Sequence, residues 1–365
     1  GQGNSRNVSQ GEMINRENLS KSLVAARSLM SGKVLEADDL MVRSPGLGLS
    51  PLRADELIGK TLKRNMDVED YFFDTDITQE TAEGRDYSFS RPWGVPVRYH
   101  DFETYNEAVS PQLFEFHLSY SDMELQIADY ISGTCAADFV VHAPELFSGS
   151  RLMDLASTDE EYRQFSLFET QRVINITRSL KEYFPNTQRP LIVANIGGFT
   201  MDKSISAGER QELYGIFGQS LAALDLDGVE LIPQTMAPFP WHFGGQRFQN
   251  LFIDPDEIVS YCERFGLRVC FDVSHSMLAC NHFDWCFEQF VEKVAPWTAH
   301  LHIGDAHGVN GEGLQIGSGE IDFDMLGSQL QALCPSASFI PEIWQGHKNN
   351  GAGFWTALGK LEFKI

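Results

Sequence analysis

The sequence predicts an α/β protein, a (β/α)8 TIM barrel behind a small N-terminal unit of short strands. Three observations carry this. From Val95 onward, short apolar or β-branched runs alternate eight times with longer amphipathic stretches, over roughly 275 residues. Metal-capable side chains recur on the later runs at Glu230, Asp272, His302 and Glu342, at intervals of 42, 30 and 40 residues. Each interval holds one strand, one helix and two loops, and one such side chain per strand end is how a barrel builds its C-terminal face. The first 76 residues keep a different rhythm, with short strands broken by Gly, Pro and Ser.

Bulk properties narrow the possibilities. With 365 residues and 42% apolar content, the chain can bury a large core and form more than one domain. A net charge of −23 disfavours nucleic acid and anionic membrane surfaces, which select basic faces. The six cysteines show no CxxC spacing, which suits reduced thiols and a cytoplasmic location. No apolar run approaches a membrane span, and no signal peptide is visible. The opening Gly1 and the polar stretch to Ser20 read as a linker, the start of the C-terminal portion of a larger polypeptide.

Residues 21–76 form the first unit. Ser22–Ala26 is a strand, Ser31–Leu35 a turn into a second, and Glu36–Leu40 a short helical turn. Leu40–Arg43 is a third strand, stopped by Ser44-Pro45-Gly46-Leu47-Gly48, and Asp55–Gly59 is a further helical turn. Residues 77–91, acidic and polar, read as a linker, and the barrel occupies 92–365.

The eight barrel strands are expected at 95–100, 113–118, 139–142, 191–196, 228–232, 269–273, 300–303 and 338–343. Helices are expected at 102–106, 123–131, 159–183 (with Ser157 to Glu161 as a cap region), 207–224, 256–265, 284–294, 323–333 and from 353.

Glu230, Asp272, His302 and Glu342 are the expected metal ligands. Three carboxylates and one imidazole favour Mn²⁺, Mg²⁺ or Co²⁺, with Zn²⁺ as a further candidate. Such a metal acts as a Lewis acid towards a sugar carbonyl, and Glu230 and Glu342 are the expected pair of carboxylates that take and return a proton. Glu115 and His117 alternate on the second strand and share a face, so either could line the pocket; His117 is carried forward as a substrate contact. His142, at the end of the third strand, is another. The loop Pro240 to Arg247 offers Trp241 as a face for a sugar ring and Arg247 for a carboxylate or phosphate.

Two stretches resemble known families. Lys21-Ser22-Leu23-Val24-Ala25-Ala26-Arg27, Gly32-Lys33-Val34, Asp39-Leu40, Pro45 to Pro51 and Leu57-Ile58-Gly59-Lys60 resemble the SAF (antifreeze-like) domain, which is β-clip-like. That domain ends sialic acid synthases and relatives that make other nonulosonic acids. There it follows a synthase barrel and reaches a partner subunit's active site with an Arg in a Lys-Arg-Pro-Gly run. Here Ser44 stands at that Arg, and Arg43 lies one place earlier.

Val229-Glu230-Leu231, Asp272-Val273-Ser274-His275, His300 to Asp305, Gly317 to Phe323 and Pro341-Glu342-Ile343-Trp344 resemble the xylose-isomerase-like barrels, which include sugar epimerases and, as cousins, apurinic endonucleases. The resemblance gives His275 contact with substrate oxygens and selects His302 over His300 as ligand. The epimerases carry an Arg shortly after that His, where this chain has only His307.

The implied function is a metal-dependent sugar isomerase or epimerase acting through an enediolate. The expected substrate is an N-acetylated amino sugar near sialic or nonulosonic acid synthesis. A homo-oligomer is expected, held through the missing synthase barrel. Two alternatives stand beside it: metal-dependent phosphodiester hydrolysis, and an inactive barrel that serves synthase assembly.

Overall fold

The computed structural model describes residue 15 and residues 18–78, 82–240 and 247–365. The chain divides into two compact units, Gly1–Glu83 and Gly84–Ile365.

In the first unit, Ser22–Ala25 pairs antiparallel with Leu40–Arg43, in the register Ser22 to Arg43 and Ala25 to Leu40. A strand expected over 31–35 is reduced to a single bridge between Val34 and Thr61, because the chain turns at Gly32 with φ +90°. Leu23, Ala25, Leu29, Leu35, Leu49, Leu57, Leu62, Met66 and Phe72 make a small core. The Asp39 carboxylate is buried and takes Arg27 Nη2 at 2.6 Å and Lys33 Nζ at 3.1 Å. A buried carboxylate needs such partners to offset lost hydration. Arg43 is half exposed and donates to Glu69 Oε1 at 3.0 Å.

The second unit is the barrel. Its strands are β1 (Gly94–Val97), β2 (Leu113–His117), β3 (Asp138–His142), β4 (Leu191–Ala194), β5 (Glu230–Pro233), β6 (Val269–Asp272), β7 (Thr298–Ile303) and β8 (Ser338–Pro341). β1 to β5 form one parallel run and β6 to β8 another. Single parallel bridges, Gln234 to Cys270 and Trp93 to Phe339, join the two runs and close the ring.

The strand sequences are rich in Val, Ile and Phe and are buried, as parallel strands covered by helices must be. Leu113, Val140, Val193, Ile232, Cys270, Ala299 and Ile340, one residue from each of β2 to β8, form one packed cluster. Residues 84–91, expected as linker, lie against this unit: Arg85 pairs with Glu362, Tyr87 Oη donates to Trp355 O, and Arg91 Nη1 to Cys334 O.

The helices carry their own start signals. Glu160–Leu180 begins at Asp159, which accepts from Tyr162 N. Ala207–Ala223 begins with a capping box of Ser206 and Glu209. Pro255–Phe265 follows Asp254 and stops at Gly266, φ +65°.

Two expectations fail. The helix expected over 123–131 is a pair of 3₁₀ turns, Asp122–Glu124 and Ile127–Asp129. After β6 no loop precedes the helix, since Val273–Phe283 starts at once, capped by Asp272, and a second helix spans Phe287–Val294. Among the described residues no helix is long and apolar enough to cross a membrane.

Candidate metal and active site

Because the strands are parallel, their last residues gather at one end of the barrel. His117 ends β2, His142 ends β3 and Asp272 ends β6, while His302 is the penultimate residue of β7. Gln234 and Glu342 directly follow β5 and β8. Around His302 Nδ1 stand Glu342 Oε2 at 2.8 Å, Gln234 Nε2 at 3.2 Å and Asp272 Oδ2 at 3.9 Å. Gln234 Nε2 also lies 2.9 Å from Asp272 Oδ2.

The imidazoles of His117, His142 and His302 are roughly parallel beside this point, with ring centroids 4.9 Å (His117 to His142) and 5.6 Å (His142 to His302) apart. His142 Nε2 reaches Gln234 Oε1 at 3.3 Å.

Local backbone explains the placement. Asp272 spends Oδ1 on the helix start, accepting from His275 N at 2.8 Å, which leaves Oδ2 for the cluster. Thr235 Oγ1 accepts from Asp272 N at 2.9 Å and ties the end of β5 to that of β6. Gly304 lets β7 run close to β8, since a Cβ there would sit 2.5 Å from Glu342 O.

The charges are strongly coupled. Burial, with the neighbouring Glu342, pushes the Asp272 carboxyl up to about 8. Burial opposes ionisation of Glu342 too, yet His302 beside it holds that carboxyl well below its ordinary range. Burial likewise opposes a charge on His302, but Cys270, Glu115 and Glu342 raise its pKa well above the ordinary value. This is the pattern of carboxylates and an imidazole that share too few protons in a dry site.

The donor set fits a divalent cation. Two carboxylate oxygens and an imidazole nitrogen face one point, and turning the Gln234 amide by 180° adds a neutral oxygen. His142, His302 and Glu342 also form a group whose potential ligand atoms lie within 4.8 Å of one another, as do Glu115, His117 and His302.

Glu230 must be removed from the ligand set. It is the first residue of β5, not the last, and its carboxylate binds Arg268 at 2.8 Å and 2.9 Å, with Arg189 at 3.5 Å. The residue that β5 delivers to the cluster is Gln234. Three other expected contacts stand apart from the cluster or fall outside what is described. His307 is exposed and bound to Glu320 at 2.8 Å. Arg247 is exposed, and Trp241 lies outside the described residues. His275 is buried beside the cluster, with Nδ1 at 3.0 Å from Thr235 O and Nε2 at 3.1 Å from Glu312 Oε1.

Sequence reasoning missed Gln234, because an amide is a weak ligand and gives no metal signature. It also undervalued Glu115, fully buried on β2, whose carboxylate meets His300 Nε2 at 2.6 Å, His117 Nε2 at 2.7 Å and His302 Nε2 at 2.9 Å. The alternation in Leu113-Phe114-Glu115-Phe116-His117 marked its face but not its partners.

Residues 106–358 match the xylose isomerase-like TIM barrel family, and residues 20–67 match the SAF domain. Among solved structures, a D-tagatose 3-epimerase-like protein is 19% identical with a TM-score of 0.55, covering 75% of this chain and 97% of that one. D-psicose 3-epimerase from Clostridium cellulolyticum H10 is 14% identical with a TM-score of 0.51, covering 75% and 98%. The 3-keto-D-glucoside 4-epimerase of E. coli is 14% identical with a TM-score of 0.50, covering 75% and 99%. No curated protein matches the chain. These structural likenesses concern the fold.

Proposed function

The chain belongs to the xylose isomerase-like TIM barrel family, and on that premise we propose that it is a divalent-metal-dependent sugar isomerase or epimerase that moves a proton beside a carbonyl through an enediolate. The observation that carries the reading is the convergence of His302 Nδ1, Glu342 Oε2 and Asp272 Oδ2 at the C-terminal end of the barrel, with Gln234 between them.

These four residues would hold Mn²⁺, Mg²⁺, Co²⁺ or Zn²⁺. Bound there, the ion supplies Lewis-acid polarisation of the substrate carbonyl. Glu342, its side chain 32% exposed, is the carboxylate open to substrate. It is kept ionised beside His302 and takes the proton. With Glu230 at the other end of the barrel, Glu342 also returns the proton. Delivered on the same face to the neighbouring carbon, while the hydroxyl proton passes from one oxygen to the other, it shifts the carbonyl, which is the isomerase outcome. Inversion at one carbon would need a second acid on the opposite face. His117 and His142 present a wall of imidazole to the substrate's hydroxyls, and His275 braces Asp272.

The SAF domain supports a substrate near nonulosonic acid synthesis, an N-acetylated amino sugar or a derivative. Six free cysteines, four of them buried, suit a reducing compartment.

The test is proton exchange in D₂O, followed by NMR, with the Mn²⁺- or Mg²⁺-loaded protein and a panel of hexoses, N-acetylhexosamines and their phosphates. Metal-dependent deuterium uptake beside a carbonyl, lost on chelation and in Glu342→Gln, is expected. A metal-loaded protein that exchanges no proton on any of these sugars sinks the proposal.

One observation favours a second reading. His117 and His142 stand beside the cluster where a further zinc would need imidazoles. Cleavage of bis(p-nitrophenyl) phosphate by the zinc-loaded protein, without sugar exchange, would select phosphodiester hydrolysis.

A further inference from the structure

Glu115 lies in the middle of β2 and is fully buried. Burying an ionised carboxylate costs several kcal/mol unless close partners offset it. Here three imidazoles do so, from two strands. His302 Nε2 is 2.9 Å from Oε1 and hydrogen-bonded to Oε2 at 3.2 Å, so the ring nitrogen sits astride both oxygens. His300, itself anchored through Nδ1 to Ser338 Oγ at 2.7 Å, brings Nε2 to Oε2. His117 brings Nε2 to Oε1. The opposite nitrogen of His302, Nδ1, faces Asp272, Glu342 and Gln234.

A neutral imidazole carries one proton, and whichever nitrogen keeps it cannot bind a metal. A carboxylate against Nε2 holds the proton there and leaves the Nδ1 lone pair pointing into the cluster.

We infer that Glu115 is a positioning residue that fixes the tautomer and ring orientation of His302, so that Nδ1 is available to a divalent ion. The inference rests on the metal reading of the site. It assigns to Glu115 a contribution to ion affinity made entirely through another side chain.

The alternative is that Glu115 is only a counter-charge holding buried histidines in a stable core. The two differ in what a conservative change does. Glu115→Gln keeps size and an acceptor oxygen but loses the charge that pins the proton. It is expected to weaken Zn²⁺ and Mn²⁺ binding by roughly 10- to 100-fold, measured by calorimetry on the full chain. Val140→Ala, a cavity in the adjoining cluster, serves as a control: it is expected to lower Tm while leaving ion affinity within about twofold.

In the Zn²⁺-loaded wild-type protein, ¹⁵N NMR of the histidines is expected to show His302 ligated through Nδ1 with a slowly exchanging Nε2–H. That spectrum needs no variant, so it tests the tautomer on which the inference stands even where Glu115→Gln fails to fold. Ligation through His302 Nε2, or unchanged ion affinity in a folded Glu115→Gln, overturns the inference while leaving the metal reading standing. A wild-type protein that binds no divalent ion overturns both.

Discussion

The carboxylate of Glu230 is clasped by the guanidinium of Arg268, Nε to Oε1 at 2.8 Å and Nη2 to Oε2 at 2.9 Å, at the end of the barrel where the strands begin. Arg268 and Arg189 hold Glu230 below the ordinary carboxylate range, although its burial pulls the other way. The pair is part exposed, with Arg268 51% accessible, so its contribution is that of a surface bridge, about 1 kcal/mol at most. Glu230→Gln is therefore expected to leave divalent-ion affinity and proton exchange within about twofold of wild type and to lower stability only slightly. Calorimetry and thermal melts check this, and a large loss of ion binding would return Glu230 to the site.

Gln234 gives the opposite expectation. It lies 2.9 Å from Asp272 Oδ2 and 3.2 Å from His302 Nδ1. Gln234→Glu adds a charged oxygen donor of nearly the same size. Divalent ions are expected to bind more tightly, by about tenfold or more, because hard cations prefer carboxylate to amide. The metal-free variant is expected to be less stable than wild type, since a third carboxylate crowds Asp272 and Glu342. Titration with Mn²⁺, followed by paramagnetic resonance, measures the first effect and urea melts with and without chelator the second.

Asp305 controls the segment after β7. Its carboxylate accepts from Ala306 N at 2.8 Å, Ile321 N at 3.1 Å, Gly317 N at 2.9 Å and Gly319 N at 2.8 Å. Asp305→Ala leaves four amides without this acceptor and is expected to cost about 3 kcal/mol or more. Asp305→Asn, which keeps one acceptor oxygen, is expected to cost roughly half as much. Limited proteolysis within 305–321, quantified beside urea melts, tests whether the loss is local.

The pH dependence of stability should show Asp154. Burial pushes its carboxyl from 3.8 up to about 6, against the opposing hydrogen bonds from Gly198 N and Ala156 N. A raised acid binds its proton more tightly folded than unfolded, so the native state gains below the unfolded value and loses as pH rises through the folded one. Between pH 4 and 6 the wild-type chain should lose up to about 3 kcal/mol relative to Asp154→Asn, which does not titrate, and the gap should stay constant above pH 7. Urea denaturation of both proteins across that range measures it. A gap that does not change with pH contradicts the shifted carboxyl.

Much of the barrel was legible because strand and helix periods repeat with turn residues between them. All eight strands lie within a few residues of their expected places. The ends were less legible, and the site depends on ends. Val229-Glu230-Leu231 reads as a strand carrying a polar residue, but periodicity does not say where the strand starts and stops, and it starts at Glu230. Four residues of register separate Glu230 from Gln234 and move the side chain from one mouth of the barrel to the other. Asp272, His302 and Glu342 were singled out because their types announce them, and the structure brings the three together. The role of Glu115 stayed hidden because its partner His302 is 187 residues away, and only closure of the ring brings the two together.

An amide rather than a carboxylate at position 234 sets the charge sum of the proposed ligands. A doubly charged cation among two carboxylates, an imidazole and an amide gives an ensemble of net charge zero. With a third carboxylate the same ensemble would be negative and would repel an approaching anion. The amide leaves the cation's field less cancelled than a third carboxylate would. Glu115, ionised behind His302, adds one more negative charge to the surroundings, so the Gln234 amide keeps the centre from becoming more negative still in a protein of overall charge −23.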